Sequence, residues 1–354
     1  MCLLVEKPLD FDNAGSRKHV FHVREKSMKA AFYERQGPAH EVLCVAELPD
    51  PRPGPGEVRV RVHVSGLNPT DLKARTGFSS AMPYPRIIPH QDGAGVIDAV
   101  GDPNEAGRVG QRVWIFEAQY GRPAGTAADY VVVPSAQAVP LPDNASFEVG
   151  ASLGIPALTA HRCLFADGDI RGKNVLVQGG AGVVGTAAIL LAKWAGAWVA
   201  ATVMNEAQAT VARAAGADLV LDRLNDDVAT AIKARTGNAG VDRIVDVNVK
   251  ANLDIDMACL APGGVISSYA MSHADDALAL PLLSAMMHGC VLRFVFIYTV
   301  PMAAKIQAIR DINACLASGD YAPHIGIKVE LDKIADAHVA LESASVVGKV
   351  LVAL

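Results

Sequence analysis

The stretch Val175-Leu-Val-Gln-Gly-Gly-Ala-Gly-Val-Val-Gly185, followed by the apolar run 186–195, constrains this chain more than any other segment. A short apolar strand runs directly into a glycine turn and then into a helical segment. Gly180, Gly182 and Gly185 form a GxGxxG pattern, and Gly179, Gly182 and Gly185 are also spaced three apart. Glycine removes the Cβ where a backbone must turn sharply and approach a pyrophosphate, and the first turn of the helix that follows offers free N–H groups to the anion. A tight turn with no ligand is the plainer alternative, but the flanking strand and helix are the context that a dinucleotide site requires. The expected contacts are Gly179, Gly182, Val183 and Val184, the last three through their backbone N–H groups.

The surroundings of this turn alternate strands with helices from about residue 152 onward, the pattern of a doubly wound parallel sheet. Strands are expected at 174–178, 198–203, 219–221, 243–247, 264–269 and 291–296. The preceding half has a different texture. Residues 58–64 alternate apolar and polar side chains as a half-buried strand does, and further short strands at 94–100, 112–116 and 130–133 are punctuated by Gly and Pro. A helix over 302–318 and a closing strand over 349–354 read as a return to the β-rich half. The chain is therefore α/β, with a discontinuous β-rich domain over 28–151 and 299–354 and a cofactor domain over 152–298. Residues 1–27 read as a poorly ordered extension.

A chain of 354 residues that is 51% hydrophobic and 19% charged has ample material for two cores. Its net charge of −5, without a block of like charge, offers no basic field for nucleic acid. No apolar run approaches the roughly 20 residues of a spanning helix, and the first residues lack a signal-peptide layout. A cytoplasmic protein without a membrane partner is expected. The six cysteines lie far apart without a CxxC pair, which suits neither a disulfide framework nor a zinc knuckle.

Several segments, in order, carry a family resemblance: Gly66-Leu-Asn-Pro-Thr-Asp-Leu-Lys-Ala-Arg75, Asp92-Gly-Ala-Gly-Val96, Gly125-Thr-Ala-Ala-Asp-Tyr-Val131, Ala151-Ser-Leu-Gly-Ile-Pro-Ala-Leu-Thr-Ala160, the glycine turn, and Gly348-Lys-Val-Leu-Val352. Together they resemble the medium-chain dehydrogenase/reductases of the zinc-independent quinone oxidoreductase, or zeta-crystallin-like, branch. The resemblance covers 28–354. It implies a GroES-like β-rich domain joined to a Rossmann domain, NADPH-dependent reduction of quinones or α,β-unsaturated carbonyls, and a homodimer. It also implies that Asn68 and Thr159 lie beside the nicotinamide, with Asn248, Ala270, Met271 and Phe296 lining that side of the cleft. Tyr84, Phe116, Tyr120 and Tyr298 are candidates for an apolar acceptor wall, each of them equally a candidate for core or interface.

Zinc alcohol dehydrogenases resemble this chain in architecture, so the residues at their ligand positions matter. This chain has Asn68, Gln91 and Ile155 there, none of them the thiolate, imidazole or carboxylate that zinc prefers. No metal is expected. Without a Lewis acid, oxidation of an unactivated alcohol is difficult, whereas hydride addition to an already electrophilic acceptor is feasible.

Residues 198–203 lead to Asn205 without the carboxylate that typically binds the ribose 2′-OH of NADH, which favours NADPH. Arg223 is a candidate for the 2′-phosphate, the alternative being a solvated arginine beside Asp222 and Asp226. Lys73 is a candidate for steadying charge on the acceptor oxygen as hydride arrives, the alternative being a surface lysine without a role. The expected activity is hydride transfer from NADPH to a quinone or enone. A zinc alcohol dehydrogenase and a non-catalytic NADPH-binding protein, a sensor or crystallin-like store, are the competing readings.

Overall fold

The structure, a computed structural model, describes residues 26–78 and 80–354. Most of the extension expected over 1–27 lies outside the described residues, and Ser27 already opens the first strand. The β-rich half contains β1 (Ser27–Phe32), α1 (Ala39–Val42), β2 (Cys44–Pro49), β3 (Glu57–Leu67), α2 (Pro69–Thr76), β4 (Asp92–Val100), β5 (Arg112–Ile115), β6 (Tyr130–Pro134), β7 (Ala138–Pro140) and α3 (Phe147–Gly150). Then follow α4 (Gly154–Phe165), β8 (Asn174–Val177), α5 (Val183–Trp194), β9 (Trp198–Val203), α6 (Glu206–Ala214), β10 (Leu219–Asp222), α7 (Val228–Arg235), β11 (Val241–Asp246), α8 (Val249–Cys259), β12 (Leu260–Ser268), α9 (Leu282–His288) and β13 (Val291–Phe294). The chain closes with α10 (Met302–Ser318), β14 (Ile325–Glu330), α11 (Ile334–Glu342) and β15 (Lys349–Ala353).

β8 to β13 form a six-stranded sheet in the order β10-β9-β8-β11-β12-β13, and every pairing in it is parallel. Its central strands are covered by helices on both faces, so Val175, Leu176 and Val177 are all buried although adjacent residues point to opposite sides. The order reverses between β8 and β11, and both strands end at the glycine turn and its neighbours. That reversal is where α/β sheets leave a crevice for ligands.

The second large sheet runs β14-β15-β3-β4-β5-β7, with β6 also on β3. β15 pairs antiparallel with β3, placing Val350 opposite Leu67 and Leu351 opposite Gly66. The C-terminal strand thereby brings Lys349 to the end of β3, beside Asn68. This approach is close: a Cβ on Gly66 would lie 2.0 Å from the Ala151 carbonyl oxygen and 3.0 Å from Lys349 Cε. Residues 325–353 thus rejoin the β-rich sheet, whereas α10, grouped with that half on sequence, packs on α4 and α5. Its Ala308, Ile312, Cys315 and Leu316 share the core of the parallel-sheet unit.

A buried polar chain ties α2 and α11 to β4. The Arg75 Nε–H can only donate, so His338 Nδ1 accepts it at 3.3 Å. His338 then carries its proton on Nε2 and donates to His90 Nε2 at 3.0 Å. By the same logic His90 Nδ1–H donates to Ser65 Oγ at 2.8 Å, Ser65 to Thr126 Oγ1 at 2.7 Å, and Thr126 to the Asp92 carbonyl. One consistent set of tautomers satisfies the chain, with both imidazoles neutral. Burial, with the Arg75 charge second, pushes His338 down to about 3, and burial also holds His90 well below its ordinary value. A depressed folded pKa contributes stability above about pH 6.5 that is lost as the pH falls toward 3. The Tm of the wild type should therefore drop over that window more steeply than that of His338→Asn. Parallel slopes would contradict neutral burial.

Candidate active site

The glycine turn divides its labour. Gly179 adopts φ +74, and a Cβ on Gly185 would lie 2.3 Å from the Gly179 carbonyl oxygen. A Cβ on Gly180 would meet Ala201 Cβ at 2.7 Å, so this residue lets the turn seat on β9. Gly182 differs: its φ is ordinary, and the nearest atom to an added Cβ is the Gly179 carbonyl oxygen at 3.4 Å. Protein packing does not require glycine there. A ligand lying against the turn would, which makes Gly182 the best evidence in this loop for a bound cofactor. Gly182 is also the N-cap of α5, and the first helical donor bonded back to it is Thr186 N at 2.7 Å. The Gly182 N–H, expected to face the pyrophosphate, instead donates to the Gly179 carbonyl at 3.0 Å, so the N–H groups of Val183, Val184 and Gly185, which precede the Thr186 donor, are the ones left for an anion.

Strand ends behind the turn are locked together. Thr202 Oγ1 accepts the Gly179 N–H at 3.1 Å and donates to Gln178 Oε1 at 2.7 Å, while Gln178 Nε2 donates to Asp256 Oδ1 at 2.8 Å. Asp246 accepts from the Asn248 N–H and from Asn252 Nδ2 at 3.0 Å. Burial, and then the neighbouring Asp246, holds Asp256 well above the usual carboxylate range. Arg223 Nε donates to Asn252 Oδ1 at 2.8 Å and Nη2 to the Ala251 carbonyl at 3.1 Å. The guanidinium is thus anchored at the start of α8 rather than paired with Asp222 or Asp226. Asn205 caps α6 by accepting the Gln208 N–H at 3.0 Å, and Gln208 in turn accepts the Met204 N–H at 2.9 Å.

Across the crevice lies α2. Asn68 is its N-cap, Pro69 supplies a fixed φ in the first turn, and Gly77 ends it in the left-handed region. Asn68 Nδ2 donates to Asp92 Oδ2 at 2.6 Å, and Lys349 Nζ donates to Asn68 Oδ1 at 2.7 Å and to Asp92 Oδ2 at 3.2 Å. The Ile155 N–H donates to the other Asp92 oxygen at 2.9 Å. Gly154 makes room for this, since a Cβ there would lie 1.9 Å from Asp92 Oδ1. Burial pushes the Asp92 carboxyl up and the Lys349 ammonium down. All three partners of Asp92 are donors, so the geometry accommodates the carboxylate facing the ammonium.

Asp71, one turn along α2, accepts the Asn68 backbone N–H at 2.7 Å, and its other oxygen has no partner among the described residues. Burial, aided by the Asp92 charge, pushes its carboxyl up to about 8.

Contacts between the two units close over this cluster. Lys73 Nζ donates to the Met271 carbonyl at 3.1 Å and stands 4.4 Å from the centre of the Phe78 ring. Lys73 is thus held by Met271 and Phe78 in this structure, not free as a surface lysine. Thr70 Oγ1 and Tyr298 OH are 3.1 Å apart, and Tyr298 stacks on Tyr120 at 4.5 Å with Phe296 at its edge. Asn248 Nδ2 donates to Ser272 Oγ at 3.0 Å, beside Ala270 and Met271. Lys73 therefore meets Met271 directly, Asn248 bonds the residue after Met271, and Phe296 packs on the tyrosine that meets Thr70, whereas the contacts of Asn68 are with Asp71, Asp92 and Lys349. Thr159 lies buried one turn beyond Ile155 on α4, and Tyr84 points instead to the Gly121 carbonyl. Sequence reading passed over Asp92 and Lys349 as site residues, along with the buried Lys305–Glu117 pair at 2.6 Å, which joins α10 to the loop after β5. The signal available was a lysine and an aspartate inside otherwise apolar, glycine-flanked strands.

The crevice, the anion-ready turn and the polar cluster facing it define an oxidoreductase that uses a nicotinamide cofactor. Residues 54–143 match the alcohol dehydrogenase GroES-like domain, and residues 183–313 match the zinc-binding dehydrogenase domain. The quinone oxidoreductase of Rattus norvegicus is 30% identical over 334 residues, 93% of this chain and 99% of that protein. A solved NAD-dependent alcohol dehydrogenase is 30% identical, with a TM-score of 0.81 over 92% of this chain and 100% of the other. A mycobacterial protein solved as a complex with NADPH is 26% identical, with a TM-score of 0.79 over 93% of this chain and 100% of the other. The chain belongs to the medium-chain dehydrogenase/reductase superfamily, in its zeta-crystallin-like quinone oxidoreductase branch.

The second matched domain takes its name from zinc binding, and the residues here do not fit that metal. Ile155 offers no side-chain donor, Asn68 is engaged with a carboxylate and an ammonium, and Gln91 Nε2 bonds to Gln119 at 3.1 Å. No group of three His, Cys, Asp or Glu suited to a metal occurs among the described residues. No helix among them is long and apolar enough to cross a membrane.

Proposed function

We propose that this protein is an NADPH-dependent, zinc-independent reductase that delivers hydride to a quinone or to the C=C bond of an α,β-unsaturated carbonyl. The observation that carries this reading is the Lys349–Asn68–Asp92 cluster. It puts a fixed ammonium beside Asn68, at one of the positions that zinc relatives use for ligands, and it offers no open coordination to a substrate oxygen. Such a site suits acceptors that are electrophilic without a metal.

NADPH, when bound, supplies the hydride from its nicotinamide. Val183, Val184 and Gly185 would hold the pyrophosphate at the start of α5, and Arg223, anchored by Asn252, would serve the adenosine side. Asn248 and the 270–271 backbone would orient the nicotinamide, and Tyr298, Tyr120 and Phe296 form an apolar wall that would exclude water from a planar conjugated acceptor.

Chelator-treated protein should consume NADPH with an ortho-quinone or a simple aliphatic enone, and should prefer NADPH to NADH by a margin that Arg223→Ala narrows. Tighter NADH binding, or an unchanged ratio in Arg223→Ala, would contradict the cofactor assignment. One observation favours a second reading, the similarity to an NAD-dependent alcohol dehydrogenase. Alcohol oxidation that appears only on adding zinc would establish it, and tight NADPH binding without turnover of any acceptor would favour a cofactor-binding protein.

The exposed edge of β13, with Phe294 outward, and the exposed Leu282, Leu283, Met286 and Met287 on α9 support a homodimer. A monomer at micromolar concentration by sedimentation velocity would contradict the dimer.

A further inference from the structure

We propose that Lys349 and Asp92 are positioning residues that fix the rotation of the Asn68 carboxamide, so that its second N–H is presented to the carbonyl oxygen of the acceptor. The orientation follows from charge and valence. An ammonium only donates, so the Lys349 contact at 2.7 Å must be to the amide oxygen. A carboxylate only accepts, so the Asp92 contact at 2.6 Å must be to the amide nitrogen. Lys349 Nζ also reaches the same Asp92 oxygen at 3.2 Å, which closes a ring through Oδ1, Cγ, Nδ2, Oδ2 and Nζ. The hydrogen in this ring lies on the same side of the amide as its oxygen. The other hydrogen points away from the ring and has no acceptor among the described residues.

The three side chains are buried, so flipping the amide would set its oxygen against a carboxylate and its NH2 against an ammonium in a low-dielectric site. An amide without these two partners would rotate and offer either face. Here α2 carries Asn68 on the side of the crevice where Thr70 and Lys73 meet Tyr298 and Met271. The pair also balances its own charge, so neither the carboxylate nor the ammonium acts on the acceptor as an unscreened charge. As hydride reaches the conjugated system, negative charge gathers on the acceptor oxygen, and a preset N–H donor stabilises that state more than the neutral ground state.

The acceptor carbonyl comes from the reductase reading above, whereas the amide orientation stands without it. Two variants separate the roles. Asn68→Asp keeps the shape and the acceptor for Lys349 but removes the N–H donor. Lys349→Met combined with Asp92→Asn keeps the site neutral and releases the rotation, with a thermal melt to check its fold.

The carbonyl stretch of cyclohex-2-enone, bound with NADP⁺ as a non-reacting complex, should shift to lower frequency in the wild type. It should return toward the solution value in Asn68→Asp, and broaden in the double variant. With NADPH, kcat should fall about 100-fold in Asn68→Asp, with a smaller change in the KM for NADPH. A bound enone with its solution frequency in the wild type, or an Asn68→Asp variant within about threefold of wild-type kcat, would overturn the inference. A shifted carbonyl without turnover would sink the reductase reading, and broadening in the double variant would still leave the positioning role standing. Should the double variant fail to fold, Asp92→Asn alone takes its place, and an unbroadened carbonyl band in whichever of the two folds would overturn the positioning role.

Discussion

Lys349→Met is expected to lower folding stability by about 3–5 kcal/mol at neutral pH, the cost of leaving one partner of a buried ion pair alone. Lys349 is buried at the start of β15, and its ammonium faces Asp92 Oδ2 at 3.2 Å. Methionine fills the volume but leaves the Asp92 carboxylate with two donors and no counter-charge. The variant has an escape route, protonation of Asp92, which raises the folded pKa of that carboxyl further above its unfolded value. Stability linked to a raised carboxyl pKa is present below the unfolded value, near 4, and is lost as the pH rises. The deficit of Lys349→Met should therefore grow from pH 5 to pH 8, and adding Asp92→Asn should recover much of it by removing the lone charge. Urea unfolding of the wild type and both variants at the two pH values measures this. A deficit below about 1 kcal/mol in the single variant would mean that the pair is not ionised in the folded protein.

Gly185→Val should remove cofactor binding within the accessible titration range. A Cβ at this position falls 2.3 Å from the Gly179 carbonyl oxygen and 3.1 Å from Gly180 Cα, both parts of the backbone, so the turn itself must move. The N–H groups at the start of α5 then no longer converge on one anion, and a loss of at least tenfold in affinity, about 1.4 kcal/mol, is the minimum expected. Gly182→Ala is the informative partner. The protein accommodates that Cβ at 3.4 Å from its nearest neighbour, so the melting temperature should stay near the wild type while NADPH binding weakens. Unchanged NADPH binding in Gly182→Ala would show that no phosphate lies against the turn.

The parallel sheet was legible because its central strands are buried on both faces and read as apolar runs bounded by glycine, as in Val175–Val177. β14 was not: it alternates half-buried and exposed residues, includes Gly326, and lies at the edge of its sheet, where burial writes little pattern into the sequence. α10 was legible as a helix from Pro301 and Gly319, but its packing partners were not, since capping residues mark ends and not neighbours. Within the site, the glycine turn and Asn68 were legible through local motifs. The cluster that holds Asn68 was not, because Lys349 and Asp92 are 257 positions apart and a lysine opening a strand reads as solvent-facing. The His90–His338 pair, 248 positions apart, escaped for the same reason.

The central claim is that hydride enters a conjugated acceptor rather than a carbonyl carbon. Product analysis after turnover of cyclohex-2-enone by chelator-treated protein with NADPH deuterated at the transferred position tests it most directly. The account predicts cyclohexanone with deuterium at the former β-carbon. Deuterium on the carbonyl carbon of an allylic alcohol would contradict it and point to alcohol dehydrogenase chemistry.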